Sequence, residues 1–120
     1  MFSFEENRPM SIFAVRLKQA RKAAGLSQEK LGVLAGVDEM SASARMNQYE
    51  RGKHEPDIAM VTRIAKVLRL PVSFFYAETD GEAKLIAAYY RLDSSQKAVL
   101  LEQALAFAGI GSVDVSGPPS

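Results

Sequence analysis

The side chains best suited to chemistry lie near the end of one stretch, Gly25 to Gly52, which reads GLSQEKLGVLAGVDEMSASARMNQYERG. Ser43, Ala44, Arg45, Asn47 and Gln48 place small, amide and cationic groups close together, and Arg51 and Lys53 follow at once. Hydroxyls, carboxamides and guanidinium groups meet the edges of bases, and cations meet phosphates. Such a set acts together only if a rigid rod aligns it. Met46 and Tyr49 are three apart and face inward on a helix, which leaves Ser43, Ala44, Arg45 and Gln48 on the opposite side. The layout is that of a helix able to lie in a DNA groove.

The elements that position this helix are legible from their punctuation. Ser27 can accept from a free first-turn N–H and so start a helix over Gln28 to Ala35, and Gly36 can take the left-handed conformation that ends it. Leu31 and Ala35 point inward, and Gln28 on the first turn can offer its amide, beside free N–H groups, to a phosphate. Gly52 closes the following helix after Arg51. Upstream, Ser11 caps a helix that runs to Ala24 with Gly25 as terminator. Phe13, Leu17, Ala20 and Ala24 form its apolar stripe, and Arg16, Lys18 and Lys22 its opposite face. Downstream, Asp57 caps a helix whose Ile58, Val61, Ile64, Ala65 and Leu68 share a face, and Pro71 starts a short helix from Val72 to Tyr76. Phe75 is expected inside, with either Phe74 or Tyr76 on the surface. Residues 77–81 (AETDG) read as a polar hinge, 82–92 and 95–108 as two further helices, and 1–10 and 109–120 as a flexible start and a disordered tail.

The stretches RKAAG (Arg21 to Gly25), LSQE (Leu26 to Glu29), Leu31, AGV (Ala35 to Val37), YERGK (Tyr49 to Lys53) and EPD (Glu55 to Asp57) occur in order at mostly familiar separations. In these residues the chain is similar to the helix-turn-helix domains of the lambda- and 434-type repressors, often called the XRE or Cro/cI-like family, over about residues 11–76. The resemblance implies an all-α fold, a five-helix lambda-repressor-like domain, here followed by two additional C-terminal helices. It implies that Ser43, Ala44, Arg45 and Gln48 reach base edges. Arg45 can bind guanine O6 and N7, Gln48 adenine N6 and N7, and Ala44 a thymine methyl. Asn47 is then a flank contact to sugar-phosphate, and Arg51 and Lys53 bind phosphates. It also implies that Arg21 and Glu50 form a structural ion pair that ties the recognition helix to the first helix.

Three departures from the family pattern stand out. Four extra residues separate Gly36-Val37 from Tyr49, around Asp38, Glu39, Met40 and Ser41. Either the connecting turn is longer and the recognition helix starts near Ser41, or Asp38 caps a helix one turn longer. The longer turn is preferred, because Asp38 and Glu39 pushed towards phosphates would be repelled. Lys30 replaces the acidic residue of a capping box. Val33 and Leu34 are apolar where this helix is usually polar, which suggests contact with the residues around Met40 or with a partner. Gly32, at a place where alanine is usual, allows close approach of the two helices.

Composition narrows the function classes. Residues 8–69 hold 12 Lys and Arg against 6 Asp and Glu, and the rest of the chain holds 3 against 8, so positive charge concentrates where DNA would lie. The absence of cysteine removes disulfides and thiolate metal sites. No apolar run approaches the ~20 residues of a membrane span. Residues 1–8 lack the apolar core of a signal peptide, so a cytoplasmic protein is expected. His54 has no spaced co-ligands, so an exposed loop histidine is expected and no metal, cofactor or small-molecule ligand. No nucleophile–base pair or phosphate loop suggests an enzyme. The expectation is a sequence-specific transcriptional regulator, a dimeric repressor on a palindromic operator in double-stranded DNA. Its apolar C-terminal helices would either fold back or pair with a second copy. The alternative is a protein-interaction module, an adaptor or antitoxin-like partner, on the same fold.

Overall fold

The structure is a computed structural model that describes residues 11–109 and 111. Apart from Gly109 and Gly111, the expected flexible start and disordered tail lie outside the described residues. Those residues form α1 (Ile12–Ala23), α2 (Gln28–Leu34), α3 (Glu39–Glu50), α4 (Ile58–Leu68), a 3-10 helix (Val72–Tyr76), α5 (Asp80–Tyr90) and α6 (Ser94–Ala108). Among them no strand occurs, and no helix is long and apolar enough to cross a membrane.

Side-chain caps start the helices as their sequences predict. The Ser11 hydroxyl accepts from the Ala14 N–H at 3.1 Å, Ser27 from Lys30 at 3.0 Å, and the Asp57 carboxylate from Met60 at 2.8 Å. Each satisfies a first-turn donor that has no partner in its own helix. After α2 the chain reverses at Gly36, whose φ of +95° suits glycine far better than any residue with a Cβ.

One core joins these elements. Leu17 of α1, Leu31 of α2, Met46 of α3, Val61 and Ile64 of α4 and Phe75 of the 3-10 helix are fully buried together. Phe13 stacks near both Phe75 and Tyr76, with ring centroids 5.6 and 5.9 Å apart. Tyr76 is exposed and Phe74 buried, which settles which of the two flanks lies outside. Two expected stripe members fall outside the core. Ala24 is exposed at the end of α1, where the backbone already turns away. Ile58 is 67% exposed, because it lies roughly 90° round α4 from the centre of its buried stripe, which Met60 opens instead.

Arg16 overturns two expectations at once. The sequence sets it on the solvent face of α1 and makes residues 77–81 a hinge, yet Arg16 is only 4% exposed. Its Nε and Nη2 donate to the Ala77 carbonyl at 3.0 and 2.8 Å, and its Nη1 donates to Asp80 Oδ1 at 2.8 Å. The carbonyls at the end of a short helix have no helical partner, and a guanidinium with five donors can satisfy one while its stem packs inside. Ala77 is therefore buried, and α5 begins at Asp80 rather than Glu82.

The chain divides into a larger compact unit ending at Tyr90 and a smaller one beginning at Arg91. Within the larger, α5 buries Ala83 and packs Ile86 and Ala87 on the core, while Leu85 stays exposed. Within the smaller, Asp93 and Gln96 form a reciprocal capping box at the start of α6. No residue of α6 is buried, and Val99, Leu101 and Phe107 stand exposed along it.

Candidate nucleic-acid interface

The inserted residues lengthen α3 rather than the turn before it. Asp38 is the N-cap: its carboxylate accepts from the Ser41 N–H at 3.2 Å and from the Ser41 hydroxyl at 3.1 Å. The preference for a longer turn with a helix starting near Ser41 is thereby corrected. The cap satisfies a free donor, and Asp38 and Glu39 sit at the positive end of the helix dipole, which outweighs an uncapped loop in the free chain. Twelve residues give α3 a length of about 18 Å.

α3 lies very close to α2. A Cβ on Gly32 would stand 2.7 Å from the Ala42 Cβ and 3.0 Å from both the Ala42 Cα and carbonyl oxygen. Even alanine at this site would force the two helices apart. Of the residues around Met40 suggested as a contact for Val33 and Leu34, Met40 itself is 95% exposed, and Val33 and Leu34 are exposed as well. On an extended helix, Met40 points outward instead of back towards α2.

With Ala42, Met46, Tyr49 and Glu50 buried, the other faces of α3 are set by its pitch. Ala44 and Arg51 point most directly away from the core, Gln48 and Met40 lie close beside them, and Ser43 and Arg45 occupy the two flanks, about 100° per residue round the axis. Ser43, Ala44, Arg45, Gln48, Arg51 and Lys53 are all exposed. Asn47 is half-buried, and its Oδ1 accepts from Gln28 Nε2 at 3.3 Å.

Behind this surface the expected ion pair is present in two-pronged form. Arg21 Nε donates to Glu50 Oε2 and Nη2 to Oε1, the second at 3.0 Å, while Nη1 donates to the Leu26 carbonyl at 2.9 Å. The hydrogen bond to Glu50 pushes the Arg21 guanidinium above its ordinary pKa, against the opposing effect of burial. Gln28 Nε2 completes the cluster with a 3.1 Å bond to Glu50 Oε1. The start of α2 and the last turn of α3 are therefore bound to α1 through one carboxylate. The amide nitrogen of Gln28 is spent inside this cluster.

Beside the cluster opens a cleft of about 540 Å³, lined by residues that include Lys18 and Lys22 of α1, Gln28 of α2 and its N-cap Ser27, and Ser43 and Asn47 of α3 and its C-cap Arg51. Sequence reasoning placed Lys18 and Lys22 only on the outer face of α1. Their four-residue spacing on either side of Arg21 was the available signal, since a helix that pairs Arg21 with Glu50 must bring its flanking lysines near the same helix. His54 is exposed, and no group of three or more metal-capable side chains occurs among the described residues.

Short capped helices, a tight α2–α3 pair and an exposed polar outer helix define a lambda-repressor-type helix-turn-helix domain. Residues 12–73 match the family described as "Helix-turn-helix domain", and the chain belongs to that family. It is 31% identical over 67 residues to an HTH-type transcriptional regulator of Sinorhizobium medicae, covering 56% of this chain and 45% of that protein. It is 28% identical over 74 residues to the SPbeta prophage-derived HTH-type transcriptional regulator YonR of Bacillus subtilis, covering 62% and 65%. The crystal structure of the transcriptional regulator BswR superposes with a TM-score of 0.72 at 45% identity, covering 78% of this chain and 96% of that one. The chain spans about half the length of the first of the curated relatives it matches and under two thirds of the length of the second.

Proposed function

We propose that the chain is a sequence-specific, DNA-binding transcriptional regulator that acts as a dimeric repressor on a palindromic operator. The observation that carries this reading is the outer face of α3, where Ser43, Ala44, Arg45 and Gln48 stand exposed while Arg21, Gln28 and Glu50 hold the helix from behind. In this reading Arg45 takes guanine O6 and N7, Gln48 takes adenine N6 and N7, and Ala44 meets a thymine methyl. Asn47, Arg51 and Lys53 hold the backbone, joined by Lys18, Lys22 and the first turn of α2 at Gln28 along the cleft. One such helix covers few base pairs, so two copies on half-sites about 34 Å apart supply useful specificity. The exposed apolar side chains of α5 and α6 support self-association.

Selection of bound duplexes from a random pool tests this directly, since it yields motif and half-site symmetry together. Arg45→Ala is expected to lose discrimination between operator and random duplex while it keeps part of the salt-sensitive background. Operator preference that survives in that variant overturns the assignment of Arg45. The exposed Val33 and Leu34 favour a second reading, a protein-interaction module on the same fold. Gel shifts at two salt concentrations separate the two, because phosphate-mediated binding falls steeply with salt.

A further inference from the structure

The lengthened start of α3 carries a side chain that the base-reading set of Ser43, Ala44, Arg45 and Gln48 does not include. Met40 is 95% exposed, the most exposed large apolar residue among those described. It is not on a loose end: the turn that bears it is pinned by Asp38, which holds both the backbone N–H and the hydroxyl of Ser41. Met40, Ala44, Gln48 and Arg51 follow one another at steps of four, four and three, so they form a single outward stripe opposite the buried Ala42, Met46 and Tyr49. A methionine left in water on that stripe forfeits the burial its thioether would gain against an apolar partner.

On the proposed reading that α3 lies in the major groove, the position of Met40 follows from its rise. It stands one turn, about 6 Å, beyond Ala44, which is just under two base-pair steps of about 3.4 Å. The adjoining carboxylates of Asp38 and Glu39 would be repelled by the sugar-phosphate backbone, so the first turn is best placed between the strands, over base edges. The one apolar group that bases present in the major groove is the C5-methyl of thymine. We infer that Met40 is a specificity-determining residue that packs on a thymine methyl about two base pairs from the site read by Ala44.

Deoxyuridine tests this, because it differs from thymidine only by that methyl. With an operator obtained by selection, each thymidine is replaced in turn and binding of the full chain is measured by fluorescence anisotropy. Besides any thymidine read by Ala44, one further thymidine per half-site is expected to weaken the unaltered protein about fourfold when replaced, and about fifteenfold when replaced in both half-sites. Met40→Ala should be indifferent to that replacement, and Met40→Leu should keep most of the sensitivity. Because Met40 is exposed, both variants should melt as the parent does. Two results overturn the inference: Met40→Ala as sensitive as the parent at every thymidine, or a parent sensitive at none. Should the parent bind no duplex at all, the groove-reading proposal fails and this inference falls with it, a result distinct from the other two.

Discussion

Gly32→Ala is the substitution whose sign best tests the packing of α3 on α2. In an exposed helix the change gains about 0.8–1.0 kcal/mol, because alanine loses less backbone freedom on folding. Here the new Cβ would lie 2.7 Å from the Ala42 Cβ and 3.0 Å from the Ala42 Cα and carbonyl oxygen. Carbon atoms pack at about 3.5–4.0 Å, so α2 and α3 would have to part by roughly 1 Å, and two of the three clashing atoms are backbone that cannot rotate aside. Overpacking of this kind costs about 1–3 kcal/mol. Set against the propensity gain, this leaves a net loss of up to about 2 kcal/mol. For a unit of this size that lowers the melting temperature by up to roughly 15 °C. Circular dichroism melts of the two proteins side by side give the measurement. A double-variant cycle with Ala42→Gly adds a second check, since removing the closest clashing atom should leave the pair more stable than the sum of the single effects. A Gly32→Ala protein that melts higher than the parent refutes the close approach, and with it the geometry assigned to α3.

Arg21→Ala should destabilise more than Glu50→Gln, because it strands a carboxylate that is 2% exposed, whereas Arg21 at 12% can still reach water. The expected cost is about 3–5 kcal/mol by urea unfolding, and equal effects would contradict the pairing. Arg16→Ala should cost about 1–3 kcal/mol by leaving the buried Ala77 carbonyl without its donor, while Asp80→Asn should cost much less, since its carboxylate is exposed and screened. The hydrogen bond from Arg16 nevertheless holds the Asp80 carboxyl below its ordinary 3.8. The stability it adds is present above that value and is lost as pH falls through the lower folded-state pKa. Asp80→Asn should therefore flatten the acid limb of a stability–pH curve, and an unchanged limb would argue against the link. Lys22→Ala should weaken operator and random duplex alike and reduce the salt slope by about 0.9 for each phosphate left unneutralised; a selective loss of operator binding would show that Lys22 does more than hold phosphate.

Much of this molecule is decided locally, and for that reason the chain announces it. Ser11, Ser27 and Asp57 cap helices because a side-chain oxygen three residues from a free N–H is satisfied by local geometry alone. The inward positions of Leu17, Leu31, Met46, Ile64 and Phe75 follow from helical periodicity in the same way. Even the partnership of Arg21 with Glu50, though implied by family likeness, is between residues of a motif readable in one dimension. The outward placement of Ser43, Ala44, Arg45 and Gln48 is equally a matter of pitch.

What the one-dimensional pattern left open depended on how separate elements meet. Asp38 could have belonged to a loop or a cap, and only the helix it starts, laid against α2 with Ala42 over Gly32, discriminates between them. Arg16 has the periodicity of a solvent-facing residue, yet the carbonyl of Ala77, sixty-one positions away, draws its guanidinium inside. Lys18 and Lys22 look like ordinary surface charges until α1 is set beside α3, where they line one cleft. The division is physical: capping and pitch act over a few residues and are written in their order, whereas burial of a charge and the building of a cleft require partners that only the folded chain brings together.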